Sequence, residues 1–457
     1  MRCIFVQRYT LSMIQKVAPR FFFKLALRGK MKFSLRIAST IGFLVALVPS
    51  AVGIAQDFAI FKKVALERIT NKVSVPVVDK NAEIALVNSL VKILQSKPDE
   101  ALEALEKLTA ENPNFRLAQL IKGDMLLARS QQISTLGNTN KANHLVLEDM
   151  RQEAKVRLKR YLNSPPTNLI PQQILQMSSD QAYAFFIDTS QSRLYVYQNK
   201  NGMPHYLTDY YISLGKNGTA KMREGDQKTP IGVYQVIANL PKEKLSDFYG
   251  SGAFPISYPN EWDQRHGRKG HGIWLHGTPS DTFSRPPRSS NGCVVLSNRD
   301  LVDVSRYIKI GVTPVVIGTD ISWITPETWR TQKNEILGAV ERWRHDWESR
   351  NINRYLSHYS RYFASEGKDL PAWINQQRTT QSGKSSVLVE LSNISVYAYP
   401  SVKNMYVVLF DQDYRSNNLA SKAKRRQYWL KEDNRWQILY EGNADVAPST
   451  TTLTAQR

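Results

Sequence analysis

The sequence predicts a multidomain chain with an α-helical N-terminal region, a mainly β central domain and an α+β C-terminal domain. Three changes of pattern along the 457 residues support this division. Apolar residues recur at helical spacing from Asn81 to about Tyr161, and alternating or β-branched runs fill Tyr183 to Gly318. From Pro326 to about Gly442, helical patterns come first and strands follow, which is typical of a separate α+β domain.

The amino terminus has the features of an export signal over residues 1–55. A basic stretch that begins at Met31 precedes the uncharged apolar run Ile37–Ala55, which ends in small residues suited to a signal peptidase. A start at Met31 gives a signal of ordinary length, so we interpret residues 1–30 as an upstream extension or a mis-assigned start. The alternative is an uncleaved anchor over residues 37–55, a run only marginally long enough to span a membrane. Both interpretations predict an exported protein of the periplasm or cell envelope.

The net charge favours an anionic environment over nucleic acid as a partner. The chain carries a formal charge of +21, and cleavage after Ala55 would lower it to +12. A basic surface of this kind suits the cell envelope. The basic residues are scattered and are not interleaved with aromatic residues in one patch, so we predict no nucleic-acid binding.

Residues 56–175 form the predicted helical region. Within it, Ala101–Ala128 is similar to one tetratricopeptide-type helical hairpin, although no second copy follows at a fixed period. A single hairpin cannot bury both of its faces, so we expect these helices to pack on the next domain or on a partner.

Residues 176–320 form the predicted β domain, with one helix expected from Asn298 to Tyr307 and Asn298 as its N-cap. A linker is expected over 321–335 and an α+β domain over 336–445. In that last domain, Ser386–Leu391 and Ile394–Tyr399 are predicted to be two strands. Residues 446–457, rich in Thr and Ser, are predicted to be a disordered tail.

The central domain carries the strongest chemical signal, a thiol and an imidazole in two short glycine-containing segments. His276 follows the apolar run Ile273–Leu275, and Cys293 lies before a predicted helix. The only other cysteine, Cys3, would be lost with the signal, so Cys293 would have no disulfide partner in the mature protein. A nucleophilic thiol activated by a neighbouring imidazole is the interpretation that we favour, and it predicts a lowered thiol pKa and rapid labelling.

The neighbouring glycines supply the remaining parts of such a site. The Gly277 carbonyl is placed to accept a hydrogen bond from the second ring nitrogen of His276, which would set the tautomer without an acid. Gly292 lets a substrate approach the backbone closely, so that the amides around Asn291, Gly292 and Cys293 can point at a developing oxyanion.

These motifs resemble the L,D-transpeptidase (YkuD-type) catalytic domain over about Tyr183 to Gly318. The resemblance rests on His276-Gly-Thr, on Ser290-x-Gly-Cys293 followed by Asn298 and Asp300, and on the upstream segment Gly225–Tyr234. It implies a β-sandwich-like fold and supporting roles for Ser290 and Asn298. It also implies attack by Cys293 on peptidoglycan stem peptides, at the carbonyl of an L-centre diamino acid that precedes D-alanine.

The chain departs from the family pattern at two positions. Many members have histidine where this chain has Asn291, and arginine where it has Val295. The first change leaves His276 as the only base that we can name, and the second leaves open which residue contacts the acceptor or the substrate carboxylate. We consider Arg288, Lys228 and Trp274 as candidates for substrate contact.

No cofactor and no metal is predicted. His271 and His276 are five residues apart, and an odd separation on a strand sends side chains to opposite faces, so joint zinc coordination is not expected. We interpret His271 as a loop residue near the site.

The C-terminal pattern resembles the nuclear transport factor two-like fold, a curved sheet lined by helices that forms a cone. The resemblance rests on helically spaced aromatic residues from Trp343 to Trp373 and on the paired strands that follow. We expect these aromatic residues to form the core, with a ligand pocket at the cone mouth as the alternative.

Together these features predict an exported cysteine L,D-transpeptidase acting on peptidoglycan. Hydrolysis of the same acyl-enzyme, as in an L,D-carboxypeptidase or a hydrolase of crosslinks, stays open. A non-catalytic envelope scaffold, in which the flanking domains recruit envelope proteins, is the alternative from another class.

Overall fold

The computed structural model describes residues 82–133, 135–137, 143–166 and 168–444. The predicted export signal, the possible start at Met31, the possible anchor over 37–55 and the predicted tail over 446–457 lie outside these residues. Among the residues that the structure describes, no helix is both long enough and apolar enough to cross a membrane.

Four helices open the described chain: Ala82–Leu94 (α1), Pro98–Glu111 (α2), Arg116–Leu127 (α3) and His144–Leu162 (α4). The α2–α3 pair is the predicted hairpin. Pro98 stands at the first position of α2, where its missing N–H costs nothing, and the Asn143 side chain caps α4 by accepting from the Leu145 amide. Leu86, Phe115 and Ile121 are fully buried between these helices.

The helical region packs on the next domain through an ionic network and an aromatic contact. Arg193 donates to both carboxylate oxygens of Glu83 in α1, at 2.7 and 3.1 Å, and its Nε donates to Asp209 at 2.7 Å. Phe115 stacks on Phe283 with ring centroids 4.2 Å apart. The expectation that these helices need a neighbour is confirmed.

Two larger sheets, one two-stranded sheet and two short α-helices form most of the central domain. Two short strands come first, Ile170–Pro171 (β1) and Ile174–Gln176 (β2). The strands that follow are Tyr183–Asp188 (β3), Arg193–Lys200 (β4), Met203–Tyr211 (β5), Leu214–Gly215 (β6), Gly232–Gln235 (β7), Leu240–Pro241 (β8), Gly252–Pro255 (β9), Trp274–His276 (β10), Arg288–Ser290 (β11), Val294–Val295 (β12) and Pro314–Gly318 (β13). The helices are Glu261–Arg265 (α5) and Asn298–Ser305 (α6).

The two sheets face each other across a shared core. One has the strand order β5-β4-β3-β13-β7 and the other the order β12-β10-β9-β8, while β6 pairs with β11. Phe185 and Val196 from the first sheet and Leu275 and Val294 from the second belong to one buried cluster. The central domain is therefore sandwich-like, as the family resemblance implied.

The α6 helix corrects one detail of the sequence analysis. Its N-cap is Ser297, whose side chain accepts from the Asp300 amide at 3.1 Å, and Asn298 is the first helical residue. The helix ends at Ser305, two residues before the predicted end. Because Ser297 takes over the capping, the Asn298 side chain is left for another partner.

The C-terminal domain places three helices on one face of a five-stranded sheet. Its elements are Trp323–Ile324 (β14), Pro326–Glu348 (α7), Ile352–Leu356 (α8), Ala364–Ser365 (β15), Lys368–Asp369 (β16), Leu370–Gln381 (α9), Val387–Ala398 (β17), Met405–Ser416 (β18), Leu419–Glu432 (β19) and Arg435–Asn443 (β20). The sheet has the order β2-β17-β18-β19-β20. Trp343, Tyr355, Tyr359, Phe363 and Trp373 are buried between helices and sheet, so the prediction that they form the core is confirmed.

Two predictions for this part of the chain are wrong. The expected linker over 321–335 holds β14 and the first turns of α7, which Pro326 and the Thr325 cap start early. The two strands expected between Ser386 and Tyr399 are one strand, β17, with an irregularity between Ser392 and Ser395. In addition, β2 pairs with β17, although its first two residues were assigned to the helical region.

The five-stranded sheets of the two domains pack on each other. Phe186, Tyr197 and Val316 from the central domain share a buried cluster with Tyr397 and Val407 from the C-terminal sheet. The sheet of β3 and β13 is thus covered on both faces, which explains why nearly all residues of these strands are buried.

Candidate active site

His276 lies at the end of β10, where the sequence analysis placed it. The side chain is buried, with 1% of its surface exposed, and its Nδ1 lies 2.7 Å from the Gly277 carbonyl oxygen. Because a carbonyl can only accept, this contact assigns the hydrogen to Nδ1 and leaves Nε2 as the free base. The geometry matches the predicted tautomer control by Gly277 without an acid.

Cys293 directly precedes β12, the strand that pairs in parallel with β10. The register joins Leu275 to Val294 and His276 to Val295. Leu275 and Val294 point into the core, so the alternation of side chains sends Cys293 and His276 to the opposite face. Because Cys293 directly precedes β12 and His276 ends the adjacent strand β10, this register places the two residues in neighbouring segments of the sheet.

Burial governs the protonation of both groups. It lowers the pKa of His276 to about 4, an effect that Arg285 reinforces and the Gly277 carbonyl opposes. It raises the pKa of the Cys293 thiol to about 11, although a hydrogen bond from the Trp274 amide and the charges of Lys221 and Arg285 oppose the shift. The expectation of a lowered thiol pKa is therefore wrong, and the resting pair at neutral pH is an uncharged thiol beside an uncharged imidazole.

The raised thiol pKa predicts slow alkylation of the resting protein. Because the thiolate is the reactive form, the rate with iodoacetamide should rise about tenfold per pH unit between pH 8 and 10, without levelling off. Mass spectrometry of the peptide that contains Cys293 measures this rate. In urea the same cysteine should level off near pH 9, as an ordinary thiol does. A plateau near pH 9 in the folded protein would contradict the raised pKa.

Asn298 fixes the turn that follows His276. Its Oδ1 accepts from the Ser251 amide at 2.8 Å, and its Nδ2 donates to the Thr278 carbonyl at 2.8 Å. A Cβ at Gly277 or at Gly250 would lie about 2 Å from this Oδ1, so a side chain at either position would displace Asn298. The supporting role that the resemblance implied for Asn298 is thus to bridge two loops beside the imidazole.

Ser290 and Gly292 build the turn before the thiol, and they change the predicted set of oxyanion donors. Gly292 has φ +126°, and a Cβ there would lie 2.8 Å from the Lys228 carbonyl oxygen. Its amide donates to the Ser290 Oγ at 3.1 Å, and that Oγ donates to the Cys293 carbonyl at 2.6 Å. The Gly292 amide is therefore engaged within the turn, and the backbone amides of Asn291 and Cys293 are the remaining candidates.

The segment Gly225–Tyr234 packs against the turn that precedes Cys293 and hydrogen-bonds to it. Asp226 accepts from the backbone amides of Met222 and Lys228 and from the buried ammonium of Lys221, at 2.8, 3.1 and 2.9 Å. Thr229 donates through Oγ1 to the Gly292 carbonyl at 3.0 Å. This segment holds the backbone on which Cys293 stands.

An aromatic wall beside the pair was missed by the sequence analysis. The ring of Tyr249 lies 5.1 Å from that of His276 and 5.0 Å from that of Trp274, and the ring of Phe248 lies 5.8 Å from His276. Trp274 is buried under Tyr249, so it forms the wall and is not an exposed substrate contact. An aromatic pair directly before the Gly250-Ser-Gly252 turn was the available signal.

Of the basic candidates, neither Arg288 nor Lys228 is linked to the thiol by a described contact. Arg288 is exposed on β11, and Lys228 is partly buried, with its backbone amide bound to Asp226. Arg285, which the sequence analysis did not consider, acts on the pKa of both Cys293 and His276. Asn291 is exposed beside the thiol.

The other histidines of this region have separate partners. His271 lies 3.4 Å from a carboxylate oxygen of Glu224, and Nδ1 of His266 lies 2.8 Å from the Trp262 carbonyl oxygen. The interpretation of His271 as a loop residue agrees with its position before β10.

Asp300 faces the ionic network of the helical region, and burial raises its pKa to about 6.

Comparison with known proteins identifies two of the domains. Residues 182–317 match the model of the L,D-transpeptidase catalytic domain, and residues 335–442 match that of the Cds6 C-terminal NTF2-like domain. The Escherichia coli (strain K12) protein YafK, provisionally named an L,D-transpeptidase, is 31% identical over 111 residues. That match covers 24% of this chain and 40% of the length of YafK.

Two solved structures share the fold over a larger part of the chain. Bd1075 of Bdellovibrio bacteriovorus is 26% identical with a TM-score of 0.53, and the match covers 60% of this chain and 98% of Bd1075. Pgp2 of Campylobacter jejuni, described as a helical cell shape determining protein, is 24% identical with a TM-score of 0.52. This match covers 60% of this chain and 95% of Pgp2. The chain thus contains an L,D-transpeptidase catalytic domain followed by a Cds6-type NTF2-like domain, which confirms both resemblances seen in the sequence.

Proposed function

We propose that the protein is a cysteine L,D-transpeptidase that acts on peptidoglycan stem peptides. The observation that carries the proposal is the placement of Cys293 directly before β12 and of His276 at the end of the adjacent strand β10, with Nδ1 of the imidazole bound to the Gly277 carbonyl. A base oriented by a carbonyl beside a thiol is what acyl transfer requires. The match of residues 182–317 to the L,D-transpeptidase domain supports the same chemistry.

The first half of the reaction forms a thioester. The Cys293 sulfur attacks the carbonyl of the diamino acid that precedes D-alanine, while His276 Nε2 takes the thiol proton. The amides of Asn291 and Cys293 are the candidate donors to the oxygen that becomes negative. When the peptide C–N bond breaks, His276 returns the proton to the leaving amine of D-alanine.

The second half resolves the thioester. An amine of a neighbouring stem peptide attacks the thioester carbonyl and gives its proton to His276, and the C–S bond breaks as sulfur regains that proton. Water in place of the amine would make the enzyme an L,D-carboxypeptidase. An uncharged resting pair suits this sequence, because a neutral imidazole is ready to accept a proton at neutral pH.

Incubation of the purified protein with disaccharide tetrapeptides tests the proposal. Crosslinked dimers support transfer, tripeptides alone support hydrolysis, and the absence of any turnover contradicts both. Mass spectrometry of the protein during turnover should detect the acyl-enzyme on the peptide that contains Cys293.

We also infer that the protein is exported, because its proposed substrate lies outside the cytoplasmic membrane. The basic and apolar sequence from Met31 to Ala55 supports this inference. Sequencing the amino terminus of the protein from cells tests it. A start at residue 56 is expected, and a start at Met1 or Met31 would contradict cleavage.

A further inference from the structure

The loop between His276 and Cys293 is held in place at successive residues. Phe283 stacks on Phe115 of the helical region, and Ser284 donates to a carboxylate oxygen of Glu153 at 2.7 Å. The Arg285 carbonyl accepts from the Tyr211 hydroxyl at 2.9 Å. The contacts of Phe283, of Ser284 and of the Arg285 carbonyl therefore fix the backbone from which the Arg285 side chain extends.

The Arg285 guanidinium itself has no acidic partner among the described residues. The side chain is half-buried, and its guanidinium carbon lies 4.8 Å from the ring centre of Phe248. Burial lowers the pKa of Arg285, which is the opposite of what a carboxylate partner would do. A partly desolvated cation without a counter-ion is unfavourable unless a ligand supplies the negative charge.

This cation stands at the rim of the active site. Phe248, which lies under the guanidinium, packs against the His276 ring at 5.8 Å and is 43% exposed. The Arg285 charge is close enough to lower the pKa of both His276 and Cys293. An anion bound by Arg285 would therefore lie beside the thiol and within reach of solvent.

The proposed substrate carries a negatively charged group close to the bond that is broken. The released residue carries a free α-carboxylate, and this group is separated from the scissile amide nitrogen by a single Cα. A receptor for it must lie within a few ångströms of the attacking sulfur.

We propose that Arg285 binds the free C-terminal carboxylate of the donor peptide and so restricts the enzyme to peptides that end one residue after the scissile bond. This proposal rests on the proposed function. The planar guanidinium can donate two parallel hydrogen bonds to a carboxylate, which fixes the orientation of the leaving residue as well as its charge. Loss of this contact should weaken binding of the donor more than it slows the chemical step.

The test compares a tetrapeptide donor that has a free C-terminal carboxylate with the same peptide as its C-terminal amide. For the wild-type protein, kcat/KM should be about 10- to 100-fold higher with the acid, the range expected for a charged hydrogen-bonded contact. Arg285→Gln should remove this preference, mainly through KM, so that the acid and the amide are turned over with equal kcat/KM. Arg285→Lys should keep only part of the preference. Arg306→Gln, which alters an exposed arginine on the same domain, is the matched control and should keep all of it.

A binding experiment separates failure of this proposal from failure of the proposed function. Binding of the acid and of the amide is measured by calorimetry to Cys293→Ser and to Cys293→Ser/Arg285→Gln, which needs no turnover. A preference for the acid that disappears with Arg285 supports the proposal even if no turnover is found. A preference that survives Arg285→Gln, one that depends on Arg288 instead, or no preference at all in the parent protein would overturn it.

Discussion

We expect the Cys293→Ser variant to lose at least about 10⁴-fold in turnover of tetrapeptide donors while it keeps its fold. A serine hydroxyl is a far weaker acid and a poorer nucleophile than a thiol, so the same imidazole activates it much less. The sulfur contacts the Gly272 carbonyl oxygen at 3.4 Å and the Trp274 amide, and both contacts are weak. Turnover is measured by chromatography of muropeptides, and the fold is checked by the urea midpoint.

Two histidines provide the matched control for this experiment. His276→Gln should lose activity to a similar extent, because the variant has no base beside the thiol. His271→Gln should stay within about twofold of wild type, because His271 lies in the preceding loop and contacts the exposed Glu224. Near-normal activity of Cys293→Ser would refute the assignment of the nucleophile, and equal losses for both histidine variants would refute the assignment of the base.

The second large effect concerns stability. We expect Arg193→Met to lower the free energy of unfolding by roughly 3–5 kcal/mol, because it leaves buried carboxylates with one partner fewer. Arg193 is 3% exposed and joins Glu83 of α1 to Asp209 of β5. Burial alone would raise the pKa of Asp209, but Arg193 and Arg160 hold it at about 2, so this carboxylate stays charged. Urea denaturation at pH 7 measures the change.

An exposed ion pair of the same residue types is the control for Arg193. Arg415 bonds Asp413 at 2.9 Å, but its side chain is half exposed, so Arg415→Met should cost no more than about 1 kcal/mol. A loss below 1 kcal/mol for Arg193→Met would contradict the structural role of the buried network. It would mean that the helical region is held mainly by apolar contacts such as that between Phe115 and Phe283.

Local patterns were sufficient to predict the domain order and the reactive pair. The strand Ile273–Leu275 and the glycines after His276 and before Cys293 constrain the backbone within a few residues, and the resulting contact of Nδ1 with Gly277 joins adjacent residues. The C-terminal aromatic spacing likewise encodes one buried helix face. These features depend on short-range geometry that a sequence displays directly.

The missed features depend on residues that meet only in the folded chain. The thiol pKa was predicted in the wrong direction because it depends on burial, which motif spacing does not report. Phe248 and Arg285 lie far apart from each other in sequence, and only the fold brings them together beside His276. The predicted linker failed because Thr325 and Pro326 start a helix before its first buried residues, and the break predicted in β17 is an irregularity within one strand.

The packing of the two five-stranded sheets has a consequence for how the protein is made. The strands of the catalytic domain emerge from the ribosome before β17–β20 exist, so Phe186, Tyr197 and Val316 have no covering surface during that interval. β2 can pair with β17 only after more than 200 further residues have been synthesised. The catalytic domain is therefore completed only when the C-terminal sheet arrives, and a chain that stops before that sheet exposes an apolar face that favours aggregation. The last domain thus covers an apolar face that the strands of the preceding domain cannot cover by themselves.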